Sequence, residues 1–96
     1  MKPSEALRIH RQGILEIIAA HSVSNPRVFG SVVRGEDTEE SDLDILVDAE
    51  ERTSYFDIIG AELEIEDLIG IGVDLISVGE LKPHVKVQVL AEALPL

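Results

Sequence analysis

The sequence predicts an α/β protein, a small mixed sheet of three or more strands with helices packed against it. Apolar residues recur at helical spacing from Ser4 to Ile18 and again from Ser54 to Leu68. Short aliphatic runs bounded by turn residues, Arg27–Phe29, Leu43–Val47 and Val73–Val78, have the length and composition of strands. Apolar content of 45% supports a globular core, and with aromatics at 3% that core is aliphatic.

The elements follow in order. Ser4 is placed to cap a first helix, with Pro3 as a start signal. Leu7, Ile14, Ile17 and Ile18 share one face of it, and Glu5, Arg8, Arg11 and Gln12 lie mainly on the other. Gly13 costs this helix about 1 kcal/mol relative to alanine, which close packing against a neighbour would explain. His10 and His21 are about 16 Å apart along the axis and cannot share a metal. His84 has no ligand-spaced companion, so all three histidines read as surface or packing residues. Ser24-Asn25-Pro26 breaks the chain before the first strand, and Gly30 ends that strand. Val32–Arg34 has room for a short helix before Gly35, a residue suited to a helix C-terminus. Arg34 either touches a phosphate or bridges to an acidic residue within the fold, the bridge being preferred. Glu36–Glu40 reads as a solvated loop.

After the second strand, Glu50-Glu51-Arg52 makes a turn, and Thr53 or Ser54 caps a helix of roughly 15 residues. That helix carries two apolar stripes, Phe56, Ile59 and Leu63, and Ile58, Ala61, Ile65 and Leu68. One faces the sheet; the other packs against the first helix or is left for a partner. Gly70 and Gly72 end the helix. For residues 83–92, Pro83 and the ending Ala91–Leu94 favour a helix, while alternating Val85, Val87 and Val89 favour a strand. The apolar end, Leu94-Pro95-Leu96, suits a contact with another chain.

The chemistry concentrates in residues 28–48. Gly30-Ser31 is followed after ten residues by Asp42-Leu43-Asp44. In a strand starting at Leu43, Asp42 and Asp44 point the same way, their Cα atoms about 6.6 Å apart. Such a pair suits one divalent ion, or two roughly 3.5–4 Å apart. A solvated Asp-rich loop is the plainer alternative. An EF-hand is excluded, since its sixth and twelfth positions would be Val47 and Thr53 where Gly and Glu are needed. Gly30 lets backbone N–H groups approach an anion, Ser31 adds a hydroxyl, and a helix starting at Val32 would aim its positive end there.

Gly30-Ser31, ten residues and Asp42-x-Asp44 resemble the signature of the DNA polymerase β-like nucleotidyltransferases. The fuller strings Gly-Ser-Val-Val-Arg-Gly-Glu and Ser-Asp-Leu-Asp-Ile-Leu-Val-Asp are similar to the minimal nucleotidyltransferase (MNT) branch, extended by Val73-Asp74-Leu75-Ile76 and Leu81-Lys82-Pro83. Val33 departs from the pattern, where these proteins usually carry a smaller residue. The resemblance implies a nucleotidyltransferase fold. It implies Mg²⁺, as two ions, on Asp42, Asp44 and Asp74. Gly30 and Ser31 would hold the phosphates of ATP, and Asp74 would accept the proton of the attacking hydroxyl. It also implies an antitoxin that transfers AMP to a tyrosine of a HEPN ribonuclease toxin, in a hetero-oligomer with it. A binding-only antitoxin and a small-molecule nucleotidyltransferase are the alternatives.

Length and charge bound these expectations. Residues 1–96 are expected to form a single domain, with no room for a separate substrate or lid domain. Nineteen acidic against eight basic residues give −11, a surface that would repel nucleic-acid polymers. A nucleotide carried with Mg²⁺, or a basic protein partner, is compatible with that charge. There are no cysteines for disulfides or thiolate metal sites. The sequence has no long apolar run or basic leader, and a cytoplasmic protein is expected.

Overall fold

The computed structural model describes residues 1–96. The chain runs α1 (Pro3–Ala20), β1 (Val23–Phe29), α2 (Ser31–Arg34), β2 (Leu43–Ala49), α3 (Tyr55–Ile69), β3 (Val73–Ser77), α4 (Pro83–Glu92) and β4 (Leu94–Pro95), with a 3-10 turn over Val78–Glu80. The sheet is mixed and ordered β3-β2-β1-β4. β2 pairs antiparallel with β1 and parallel with β3, while β4 pairs antiparallel with the far side of β1.

Alternation along β2 separates the two faces. Leu43, Ile45 and Val47 are fully buried and point to α1 and α3. There they join Ala6, Leu7, Ile14 and Ile18 of α1 and Ile58, Ala61, Ile65 and Ile69 of α3 in one aliphatic cluster. Gly13 has the neighbour its sequence position implied, because a Cβ on it would come within 2.8 Å of Leu68 on α3. Of the two stripes on α3, Ile58, Ala61 and Ile65 are buried, but the fourth member of that stripe, Leu68, is exposed and Ile69 is buried in its place. Phe56 and Leu63 of the other stripe stay exposed.

Several elements differ from the sequence reading, each for a physical reason. Ser4 lies inside α1 and does not cap it. Asp37, from the loop after α2, does so by accepting the Ser4 N–H at 2.9 Å. That bond comes first among the causes holding the Asp37 carboxyl below its ordinary pKa. Strand β1 begins at Val23, four residues early. Ser24-Asn25-Pro26 forms a bulge between two paired stretches instead of a break, with Asn25 at φ 52°. The bulge accommodates Pro26, which has no N–H to give a ladder. Residues 83–92, by contrast, are helical as Pro83 and Ala91–Leu94 favoured, the alternating valines notwithstanding. The C-terminal residues serve the fold itself: Leu94–Pro95 pairs with β1, and Leu96 donates to the Pro26 carbonyl at 3.1 Å and packs on the core.

The open edge of β3 is occupied from α3. Glu66 accepts from Val73 N–H and Glu62 from Leu75 N–H, both at 2.9 Å. Four helical residues advance about 6.0 Å and two strand residues about 6.6 Å, so the two spacings match. Helix α4 contrasts with α1 and α3, because none of its residues is buried.

Candidate active site

Three neighbouring strands place the site. Asp44 on β2 is the register partner of Phe29 on β1 and of Asp74 on β3. The Gly30-Ser31 turn, Asp44 and Asp74 therefore lie in a row across the sheet, on the face opposite the helical core. Asp42 precedes β2 by one residue, beside Gly72.

Two glycines are required by these carboxylates. Gly30 sits at φ 75°, and a Cβ there would come closer than 3.0 Å to the Asp44 carboxylate. A Cβ on Gly72 would collide in the same way with Asp42. Gly72 was expected to help end α3. Gly70, in the left-handed region at φ 75°, does that alone, and Gly72 makes room for Asp42.

Burial raises the Asp44 pKa to about 6, with the adjacent charges of Asp74 and then Asp42 adding to it and Arg34 opposing it. A partly covered carboxylate facing two others, with one guanidinium in opposition, is a set of hard oxygen donors short of positive charge. That chemistry fits Mg²⁺. The three carboxylates are not closed round a single point, since Asp42 lies over Gly72. It is exposed there.

The anion side is arranged differently from the sequence expectation. Helix α2 starts at Ser31 and is a single turn ending at Gly35, which has φ 69°. One turn sums too few peptide dipoles to act as a helix N-terminus. What the structure does offer is the Gly30 N–H and the Arg34 guanidinium, and both are engaged by Glu92 at the end of α4. Arg34 also pairs through Nε with Glu36 at 2.7 Å. It thus makes the bridges to acidic residues that its position suggested. A cleft of about 290 Å³ opens between the turn and α4, walled by Phe29, Gly30, Arg34 and Asp44 on one side and Gln88, Val89 and Glu92 on the other. Ser31, Asp42 and Asp74 lie outside its walls. The α4 residues were missed from sequence; Glu92 is 62 positions from Gly30 and carries no local signal.

Residues 12–96 match the family model described as polymerase beta, nucleotidyltransferase. The chain belongs to that family. Within the nucleotidyltransferases it is 40% identical to protein adenylyltransferase MntA of Thermococcus cleftensis over 88 residues, 92% of this chain and 86% of that protein. A solved structure ascribed to a minimal nucleotidyltransferase is 45% identical, with a TM-score of 0.87 over 97% of this chain and 95% of that one. The fold is also that of an MNT antitoxin solved in complex with a tri-AMPylated HEPN toxin of Shewanella oneidensis. There the TM-score is 0.70 at 16% identity, over 92% of this chain and 69% of that chain.

Proposed function

We propose that this nucleotidyltransferase is a Mg²⁺-dependent protein adenylyltransferase acting as an antitoxin in the cytoplasm. It moves AMP from ATP to a tyrosine of a HEPN ribonuclease partner and so silences it. The observation that carries this reading is the row Gly30-Ser31, Asp44, Asp74 across three adjacent strands. It puts the Gly30-Ser31 turn beside Asp44 and Asp74 at one end of the sheet, an arrangement that supports a phosphate position next to a metal position. The likeness to MntA supports AMP as the transferred group, and the fold of the MNT antitoxin supports a HEPN acceptor.

In this reading Gly30 N–H, the Ser31 hydroxyl and Arg34 bind the β- and γ-phosphates. Asp42, Asp44 and Asp74 would hold Mg²⁺, which when bound offsets the charge of the triphosphate and of the leaving pyrophosphate. Asp74, exposed on the strand beside Asp44, takes the proton of the tyrosine hydroxyl. The phenolic oxygen then bonds to the α-phosphorus as the bond to the pyrophosphate oxygen breaks. The cleft is open to solvent on the side away from the helical core, which suits an acceptor that arrives on a docked protein. Residues 1–96 act as one minimal domain.

Incubated with its HEPN partner, ATP and Mg²⁺, the protein should raise the partner's mass by whole AMP units, located on tyrosine by peptide mass spectrometry. Asp74→Asn should abolish the mass change while the complex still forms. Full neutralisation of the toxin by Asp74→Asn without any mass change would replace the enzymatic reading with one of binding alone.

A further inference from the structure

Glu92 occupies the anion-binding groups of the site with a carboxylate from its own chain. Its Oε1 accepts the Gly30 N–H at 2.6 Å, and Arg34 Nη1 lies 3.1 Å from both carboxylate oxygens. Short N–H···O⁻ geometry of this kind is typical of charge-assisted hydrogen bonds. Two donors converging on one pair of oxygens is also how a phosphate is held. A donor hydrogen serves one acceptor well, so a nucleotide phosphate and Glu92 cannot both hold the Gly30 N–H and the same edge of Arg34.

We propose that Glu92 is an intramolecular competitor for the phosphate position, a latch that the nucleotide displaces on entry. This rests on the reading of Gly30 and Ser31 as the phosphate-binding turn. The packing of α4 suits a part that lets go. No residue of α4 is buried, and Val87 and Leu90 are 71% and 42% exposed. Its ends are tethered, by the turn at Val78–Glu80 and by the pairing of Leu94–Pro95 with β1, but nothing along its length is locked into the core. Arg34 is meanwhile held from its other edge by Glu36 at 2.7 Å. When Glu92 leaves, the guanidinium keeps its place and presents Nη1 to the incoming group. A latch shut nine-tenths of the time weakens apparent nucleotide affinity about tenfold.

The test is calorimetric titration of the full chain with ATP and Mg²⁺. Glu92→Gln, which removes the charge and keeps the side-chain length, should bind roughly tenfold more tightly than the unaltered protein. Glu40→Gln removes the same charge from an exposed loop and should change nothing, which separates the latch from general repulsion. Equal or weaker binding by Glu92→Gln overturns the latch while leaving the phosphate assignment standing. Absence of ATP binding in both proteins removes that assignment and the latch with it. Hydrogen exchange on the unaltered chain gives a check that needs no variant. Added ATP should speed exchange in residues 83–92 while the Gly30 amide stays protected, and unchanged or slower exchange in that helix would count against the proposal.

Discussion

The two faces of the sheet are held by different forces, and one strand serves both. Odd-numbered residues of β2, Leu43, Ile45 and Val47, are sealed in an aliphatic cluster under α1 and α3. Of its even-numbered residues, Leu46 is buried outside that cluster, while Asp44 belongs to a cleft and Asp48 to an ion pair with Arg27 at 2.6 Å. The element over the cleft, α4, buries none of its residues and reaches the site through the charged side chain of Glu92. Apolar burial is non-directional and screened by nothing, whereas exposed ion pairs are individually worth about 0–1 kcal/mol. The comparison teaches that the two-residue period of a single strand is enough to set a rigid face against an exchangeable one.

The largest effect should come from the sealed face. Ile45→Ala removes a fully buried side chain and should cost about 2–5 kcal/mol in urea denaturation. The folded fraction should still transfer AMP at the normal rate. A loss below about 1 kcal/mol would mean that the helical face does not dominate stability.

One residue along, the sign should reverse. The Asp44 carboxyl has its pKa raised to about 6 in the fold, against about 3.9 when unfolded. The folded state therefore binds the proton more tightly, and stability falls as pH rises through the interval from about 4 to 6. Above that interval the penalty is complete; below it there is none. Asp44→Asn should gain about 1 kcal/mol at pH 7.5, after allowance for solvent screening of a partly exposed group, and nothing at pH 3.5. It should also lose AMP transfer. Equal gains at both pH values would show that the effect is not one of charge.

A stability effect of similar size, with no loss of activity expected, probes the helical face from the loop after α2. Asp37→Ala takes the cap from α1 and should lower stability by about 1 kcal/mol at neutral pH. Because the folded pKa of Asp37 is depressed, this contribution is present above the ordinary aspartate range and is lost as pH falls through the depressed value. Melting curves of the variant and the unaltered protein should therefore converge in acid.

Most of the fold was legible because it rests on period. The alternation in β2, the buried stripe of α3 and the glycines at helix ends are local patterns that burial then uses. The candidate site was legible as a spacing, Gly30-Ser31 to Asp42 and Asp44, and as Asp74 at the head of a third strand, which the sheet register brings beside Asp44. Misreadings arose where a local preference met a distant partner. Ser4 is a good capping residue, but Asp37, 33 positions away, reached the helix end first. Pro26 normally stops a strand, yet a bulge with Asn25 in a left-handed conformation lets β1 pass it. Glu92 gave no sign of its contact, since a glutamate near a helix end is ordinary in any sequence.

The glutamates on the edge of β3 bear on how this protein is recognised. Main-chain pairing is blind to sequence: any extended segment can add itself to an open strand. Glu62 and Glu66 already hold the outward N–H groups of Val73 and Leu75. The other edge is a two-residue strand that includes a proline. A partner must therefore read this surface through side chains, where a single substitution on either protein can admit or refuse it.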